Sequence, residues 1–345
     1  MTGTVLVTGG TGYIASELIR QLLDKGWTVH ATVRNRMKSE AMLRTRLGDP
    51  DPERLKVFTA ELMDDEGWAE AMAGCTHVAH VASPIAASTP KDENEMIVPA
   101  REGTLRALRF AKDAGVKRFV QTSSMAAVAY GRSEKEYTVS EADWTDAGHL
   151  DATPYVKSKT IAERAARDWV AEHGAKDGQC MEFVSVNPAM VLGPVDDPDF
   201  SPSVEAVRQL LSGAMPMAPD LGFAIVDTRD VADLHVRCLE EEGLADERFL
   251  AAGKFMKIIE VGEVLREGLP PEHTRKVPTK VMPDWLVSIL SLFNPGVRSI
   301  KNELGKSRHV DASHAEERLG WRTRDERESI LDCGRSLIAH GVVKP

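Results

Sequence analysis

Residues 5–15 read Val5-Leu6-Val7-Thr8-Gly9-Gly10-Thr11-Gly12-Tyr13-Ile14-Ala15, and their reading decides the fold. An apolar run leads into a glycine turn and then into an amphipathic segment. Leu18, Ile19, Leu22 and Leu23 share one helical face of that segment before Gly26 stops it. Strand, glycine turn and helix, in that order, form the setting in which a glycine-rich motif binds a dinucleotide. Gly9 permits the tight turn, Gly12 lets a pyrophosphate reach the backbone, and small Ala15 lets the helix pack close to the sheet. The N–H groups at the helix start, around Thr11, Gly12, Tyr13 and Ile14, then face the phosphates. The spacing is Gly-x-x-Gly-x-x-Ala rather than the commoner Gly-x-Gly-x-x-Gly, and taken alone it also suits an ordinary tight turn.

The rest of the chain separates those two readings. Residues 27–34 alternate apolar and polar positions with β-branched enrichment, which predicts a second strand. Further strands are expected at 55–60, 76–82, 118–122 and 181–186, with helices from about residue 95 to 114 and from about 154 to 172. Strands alternating with helical patterns imply right-handed crossovers and a parallel sheet. The expected class is therefore α/β: a Rossmann-like doubly wound parallel sheet with a smaller, partly helical C-terminal substrate lobe. Residues 1–188 are assigned to the dinucleotide-binding domain and 189–345, where prolines multiply, mostly to the substrate lobe. The segment near 222–235 is expected to return to the sheet. A ligand belongs outside the carboxyl ends of the strands, between the two lobes.

Composition sets limits on the partners. A chain of 345 residues with 42% hydrophobic and 28% charged residues is an ordinary soluble globular protein. Its net charge of −10, with no long basic run, argues against a nucleic-acid or anionic-membrane partner. Cys75, Cys180, Cys238 and Cys333 are scattered, which predicts reduced thiols in a cytoplasmic protein and no disulfide frame or zinc site. The N-terminus runs straight into the first strand, so no signal peptide is expected. The apolar stretch 285–293 is too short to span a bilayer; its stripe of Trp285, Leu286, Ile289, Leu290 and Phe293 is expected to be core or a lid over the substrate mouth. His77 and His80 are three apart on a strand, hence on opposite faces, and no metal is expected. No Gly-x-Ser-x-Gly elbow occurs. The run Glu240-Glu241-Glu242 reads as a solvated helix end.

The chemistry concentrates at Tyr155-Val156-Lys157-Ser158-Lys159. Tyr155 and Lys159 are four apart and share a helical face. An ammonium beside a phenol favours the phenolate and is expected to lower the tyrosine pKa toward working pH, making a general acid for a carbonyl oxygen. Ser124, 31 residues earlier with Ser123 beside it, ends a strand, where its hydroxyl can donate to the same oxygen.

With these pieces in order the chain resembles an extended short-chain dehydrogenase/reductase, and more closely the dihydroflavonol reductase branch with its microbial aldehyde and ketone reductases. The matching stretches include Thr8-Gly9-Gly10-Thr11-Gly12-Tyr13-Ile14-Ala15, Ala31-Thr32-Val33-Arg34, His80-Val81-Ala82-Ser83-Pro84 and Glu102-Gly103-Thr104-Leu105. They continue through Thr122-Ser123-Ser124, Tyr155 to Lys159, Asn187 to Pro194, Asp230-Val231-Ala232, Val310 to Ser313 and Leu319-Gly320-Trp321, over nearly the whole chain. The resemblance implies a catalytic triad of Ser124, Tyr155 and Lys159, with Tyr155 protonating the substrate oxygen, Ser124 polarising it and Lys159 also bonding the nicotinamide ribose. It chooses Ser124 over Ser123. It also implies that Val81, Ala82 and Ser83 lie along the cofactor, Pro188 and Val191 near the nicotinamide, and Ser203 closing over it. Glu61-Leu62 stands where the family more often has Asp-Leu beside the adenine, with the acceptor on a longer arm.

Cofactor choice follows from charge. An acid about 20 residues past the glycine turn holds the ribose 2′-hydroxyl of NAD. Here Arg34 stands 22 residues after Gly12, with Arg36 and Lys38 close by, and a guanidinium suits a 2′-phosphate. NADP(H) is the cofactor expected. The function expected is transfer of a hydride to the carbonyl of an aldehyde or ketone, in a pocket drawn from Pro84, Ile85, Met125, Tyr130, Met217 and Phe223. That mostly apolar set favours an aromatic or aliphatic carbonyl substrate. The alternatives are a nucleotide-sugar epimerase or dehydratase with bound NAD, and a non-catalytic NADP-sensing regulator, which would tend to lose the tyrosine and lysine. Monomer and homodimer both stay open.

Overall fold

Alternation along the first strand already defines two packing faces. In the computed structural model, which describes residues 3–84, 90, 92–149, 152–176, 179–196, 201–293, 297 and 300–344, β1 (Thr4–Val7) turns Val5 and Val7 to one side and Leu6 to the other. Six more strands join it: β2 (Thr28–Val33), β3 (Leu55–Thr59), β4 (His77–His80), β5 (Arg118–Thr122), β6 (Glu182–Pro188) and β7 (Arg248–Ala251). The order is β7-β6-β5-β4-β1-β2-β3 and every pairing is parallel. The direction of winding reverses between β1 and β4, the position at which a doubly wound sheet opens a crevice for ligands.

The helices cover both faces. Helix α1 (Tyr13–Asp24) buries Ala15, Leu18, Ile19, Leu22 and Leu23 against Val5, Val7, Val29 and Ala31. Each fully buried Leu or Ile contributes on the order of 1.5–3 kcal/mol. Helices α2 (Arg36–Arg46), α3 (Trp68–Met72), α4 (Asn94–Asp113) and α5 (Pro154–His173) follow in order. On the opposite face Leu6 packs with Trp68 of α3, Leu108 of α4 and the stacked rings of Phe119 and Phe183, whose centroids are 6.2 Å apart.

Past β6 come α6 (Pro202–Ser212) and α7 (Thr228–Glu240). The expected return of residues 222–235 to the main sheet needs correction. Gly222–Asp227 pairs in parallel with Met190–Leu192 and antiparallel with Phe255–Lys257, in a separate three-stranded sheet. The seventh main strand is β7 instead. Both segments are short and almost wholly buried, so neither shows the alternation that would reveal which sheet it joins. The lobe has its own core, with Leu192, Val207, Leu210, Ile225, Val261, Leu265 and Ile330.

The stripe at 285–293 is not core. The short helix Asp284–Leu290 docks through buried Val287, while Trp285 is 65% and Phe293 82% exposed. Glu240 is more than a solvated helix end, because its carboxylate accepts from Lys25 Nζ at 3.1 Å and Trp27 Nε1 at 3.2 Å, tying α7 to the start of β2. No helix among the described residues is long and apolar enough to cross a membrane. All four cysteines are free thiols.

Candidate active site

The glycine turn hangs from two strand ends. Thr8 N–H donates to Ala79 O at 3.0 Å, Gly9 N–H to Thr32 Oγ1 at 3.2 Å and Gly10 N–H to Thr32 O at 2.8 Å. Gly9 sits at φ +68°, where an L side chain is strained, and a Cβ there would lie 3.1 Å from Ala82 Cβ. A Cβ on Gly12 would lie 3.1 Å from Gly9 O. Gly12 caps α1 without any side-chain bond, and no acidic residue occupies the first turn. The N–H groups of that turn are therefore open to an anion. Tyr13 contributes backbone to this turn, but its ring packs against both cores. Its hydroxyl is buried without a hydrogen-bond partner among the described residues, and burial pushes the phenol well above its ordinary range. Ile14 is half-buried beside it, and Thr11 O accepts from Arg46 Nη1 at 3.0 Å.

At the end of β2, Arg34, Arg36 and Lys38 are exposed. Arg36 Nε is held by Glu40 at 2.7 Å, whereas Arg34 and Lys38 have no carboxylate within 4.0 Å among the described residues. A diphosphate cradle with two uncommitted cations beside it fits a dinucleotide carrying a further phosphate. Leu62 packs against Gly103, where a Cβ would lie 2.8 Å from Leu62 Cβ, and the Glu61 carbonyl accepts from Trp68 Nε1 at 2.9 Å, leaving the Glu61 carboxylate exposed. Val81, Ala82 and Ser83 continue from β4, and Ala82 N–H donates to Thr8 Oγ1 at 2.9 Å. Pro188 ends β6 and Val191 is buried just beyond it. Ser203 lies in the first turn of α6, outside the hydrogen bonds of the triad among the described residues.

Helix α5 starts just before the expected site residues. Thr153 Oγ1 accepts from Val156 N–H at 3.3 Å, and Pro154 takes the first helical position, so Tyr155 sits in the first turn. Ser124 follows β5 and caps a 3₁₀ turn, Met125–Ala127, its Oγ accepting from Ala126 N–H at 3.1 Å. Tyr155 OH donates to Ser124 Oγ at 3.4 Å, and Lys159 Nζ lies 5.9 Å from the Tyr155 ring centroid. The fold thus brings Ser124, Tyr155 and Lys159 together at the carboxyl end of the sheet. Ser123 points the other way, donating to Glu163 at 2.5 Å.

The electrostatics correct one expectation. Tyr155 is 39% exposed, but the protein packed around its hydroxyl raises the phenol above its ordinary range by desolvation, with the Ser124 hydrogen bond acting against it. Reading the pair from spacing alone leaves out the desolvation of the phenolate, which is the larger effect here. Burial also pushes Lys159 down to about 8, with Glu163 pulling it up. His80, buried one strand away, falls to about 3 through burial and then through Lys159.

Of the pocket residues, Met125 and Tyr130 pack in one cluster, and Arg308 lies over the Tyr130 ring at 4.4 Å. Phe223 packs on the core of the C-terminal lobe, and Met217 is half-buried beside Ala218, which bridges to Val281. Pro84 is half-buried after β4, and Ile85 lies outside the described residues. A cavity of about 520 Å³ opens elsewhere, at Trp144, Asp146, Thr160, Ile161 and Arg164, on another part of the α5 surface. The buried group behind the triad, Glu163, was not singled out from the sequence. Its one signal is the i, i+4 series Tyr155, Lys159, Glu163, Arg167.

Residues 5–252 match the pattern of the NAD dependent epimerase/dehydratase family. The chain belongs to that family. Within it, cinnamoyl-CoA reductase 1 of Arabidopsis thaliana is 36% identical over 347 residues, covering 99% of this chain and 91% of that protein. Dihydroflavonol 4-reductase of Zea mays is 32% identical over 276 residues, 78% of this chain and 75% of that one. These relatives bear out the resemblance to the dihydroflavonol reductase branch. Among solved structures, yeast methylglyoxal/isovaleraldehyde reductase Gre2 complexed with NADPH superimposes with a TM-score of 0.80 at 24% identity, over 99% of this chain and 100% of that one. The likeness shows the same Rossmann-like fold.

Proposed function

We propose that the protein is an NADPH-dependent oxidoreductase that reduces the carbonyl of an aldehyde or ketone to the alcohol. The observation that carries this reading is the convergence of Ser124, Tyr155 and Lys159, with Tyr155 OH 3.4 Å from Ser124 Oγ, at the carboxyl end of a sheet whose glycine turn is open to a diphosphate. The reductase names of its relatives support it.

The glycine turn and the start of α1 hold the diphosphate, and Arg34 with Lys38 receive the 2′-phosphate. NADPH, when bound, supplies the hydride. Tyr155 donates the proton that the reduced oxygen takes up, and Ser124 donates a hydrogen bond to that oxygen as its charge develops. A phenol raised above its ordinary range stays protonated and is ready to act as an acid in the reducing direction. Lys159, one turn along α5 with Nζ 5.9 Å from the Tyr155 ring centroid, would bond the nicotinamide ribose.

Epimerisation or dehydration, the activities in the family's name, would on a nucleotide sugar call for an acid in the place of Arg34 to keep NAD. The test is NADPH oxidation, followed by loss of the reduced-nicotinamide absorbance, against aromatic and aliphatic aldehydes, ketones and dihydroflavonols, with NADH in parallel. Turnover with NADPH well above NADH is the expected result. Silence across the panel, with NAD retained by the purified protein, would transfer the site to the nucleotide-sugar reading.

A further inference from the structure

One buried carboxylate stands behind all three site residues. Glu163 follows Tyr155 by eight positions and Lys159 by four on α5, so the three share one helical stripe. It is 0% exposed. Oε2 accepts from Ser123 Oγ at 2.5 Å and Asn187 Nδ2 at 2.8 Å; Oε1 accepts from Ser185 Oγ at 3.0 Å and Arg248 Nε at 2.7 Å. Arg167 Nε lies 3.5 Å from Oε1. The donors come from the end of β5, from β6 and from the first residue of β7, so a single side chain ties α5 to three neighbouring strands. Burial on its own would raise this carboxyl, but Arg248, Arg167 and the hydrogen bonds of Ser123 and Asn187 together hold it below the ordinary carboxylate range.

A buried ion pair is weak evidence for stability, because desolvation offsets most of the attraction. What this one does is geometric. The Asn187 amide spends one hydrogen on Glu163 and the other on the Ser124 main-chain carbonyl at 3.1 Å. Both bonds need Nδ2, which fixes the amide and leaves Oδ1 buried without a partner among the described residues. With Ser123 Oγ drawn inward to Glu163, the Ser123-Ser124 dipeptide can present only Ser124 to Tyr155. The groups facing Lys159 are Tyr155 and Glu163 from its own helix and His80 from β4, with Arg167 of α5 and Arg248 of β7 bound to Glu163. Ser185 and Asn187 of β6 carry no charge. Glu163 is the one carboxylate acting on Lys159 among the described residues.

We propose that Glu163 is a positioning residue for this site: through Ser123 and Asn187 it holds the main chain that aims Ser124 at Tyr155, and its charge keeps the Lys159 ammonium beside Tyr155. The kinetic consequence rests on the reductase reading, but the electrostatic one does not. In ligand-free protein labelled with ¹³Cε-lysine, the Lys159 resonance, identified by its loss in Lys159→Met, reports the titration directly and is expected near pH 8 in the wild type. Glu163→Gln keeps the shape, removes the charge and sets an amide against existing donors. The Lys159 midpoint should fall by about one pH unit or more. In turnover, kcat should drop on the order of 10- to 100-fold, with the alkaline limb of the pH profile moving down alongside the titration.

Because Glu163→Gln strands Arg248, the double variant Glu163→Gln/Arg248→Gln is measured with it. It removes both charges and keeps a donor where Arg248 Nε stood. Its thermal stability should recover relative to the single variant, while the Lys159 midpoint and kcat stay below wild type. A Lys159 midpoint that does not move in the folded variants overturns the proposal, and so does turnover that returns together with stability in the double variant. A wild type with no carbonyl reduction would instead overturn the reductase reading, with the titration still deciding the role of Glu163.

Discussion

Lowering the pH from 7 to 5 will weaken the fold, chiefly through two histidines wholly buried in their neutral form. His235 on α7 is 0% exposed, and its Nδ1 lies 2.7 Å from the Val231 carbonyl. A carbonyl can only accept, so Nδ1 carries the hydrogen and Nε2 accepts from the Thr122 hydroxyl at 2.7 Å. His80 is 1% exposed. Ala82 N–H donates to Thr8 Oγ1, which leaves that hydroxyl to donate to His80 Nδ1 at 3.1 Å, and Nε2 faces Thr104 Oγ1 at 3.5 Å. In each ring a second proton would oppose an existing donor as well as desolvate a charge. Burial accordingly pushes His235 down to about 4 and His80, with a contribution from Lys159, to about 3, from an ordinary value of 6.5. Between pH 6.5 and those values the unfolded chain binds protons that the folded one refuses, so stability falls as pH falls across that window. Each pH step of one across it costs about 1.36 kcal/mol per histidine, so going from 6.5 to 5 removes about 2 kcal/mol for each and about 4 kcal/mol for both. Against a typical total of roughly 5–15 kcal/mol this is a large fraction. His77, half-buried at the start of β4 and also lowered to about 4 by burial, adds to the same window, so urea unfolding at pH 7, 6 and 5 should show at least this change, and His235→Gln should reduce it by about 2 kcal/mol. An unfolding free energy that is the same at pH 5 as at pH 7, or a change untouched by His235→Gln, would refute the reasoning.

Other outcomes follow from the site. Tyr155→Phe should lower kcat by about 10²- to 10⁴-fold while NADPH binding, followed by quenching or energy transfer in its fluorescence, stays near wild type. Arg34→Ala should weaken NADPH binding about 10- to 100-fold, the loss of one charge-assisted contact of about 1.5–3 kcal/mol, and leave NADH nearly unchanged; calorimetry with both cofactors checks it. Gly9→Ala puts a Cβ at φ +68° and 3.1 Å from Ala82 Cβ, so it should lower the thermal midpoint and abolish cofactor binding together. In the proposed reaction Lys159 acts as an ammonium, and its folded value is lowered to about 8, so kcat/KM should fall as pH rises through that region, a limb that a pH–rate profile will show.

How far the fold could be read in the chain depended on how local its causes are. The β1–turn–α1 unit was legible because each part is short-range: alternation in Val5-Leu6-Val7, a left-handed position at Gly9 and a buried stripe at Leu18, Ile19 and Leu22. The seventh strand was not. Arg248–Ala251 is four buried residues opened by an arginine, and that arginine is tolerated because Glu163, 85 positions away, and the carbonyls of Ala127, Glu141 and Asp143 meet it. Gly222–Asp227 was recognisable as a strand, but which sheet it joins depends on pairing with Met190–Leu192 and Phe255–Lys257. At the candidate site, the meeting of Ser124, Tyr155 and Lys159 was readable by spacing and resemblance. The direction in which the Tyr155 phenol moves was not, since burial is a tertiary property. Glu163 carried a visible signal in its i, i+4 place after Lys159, but its meaning depends on Ser123, Asn187 and Arg248 arriving from three strands. The apolar stripe at Trp285 looked like core because helical periodicity reports a face and not what covers it.

The central claim is that hydride goes from NADPH to a carbonyl carbon while Tyr155 supplies the proton. It is tested most directly by following the label from NADPH deuterated at the transferable position into the product of an aldehyde the enzyme accepts. Wild type should place one deuterium on the carbinol carbon, and Tyr155→Phe with cofactor bound should form almost no labelled alcohol. Alcohol formed without deuterium, or labelled alcohol made as fast by Tyr155→Phe, would contradict the account.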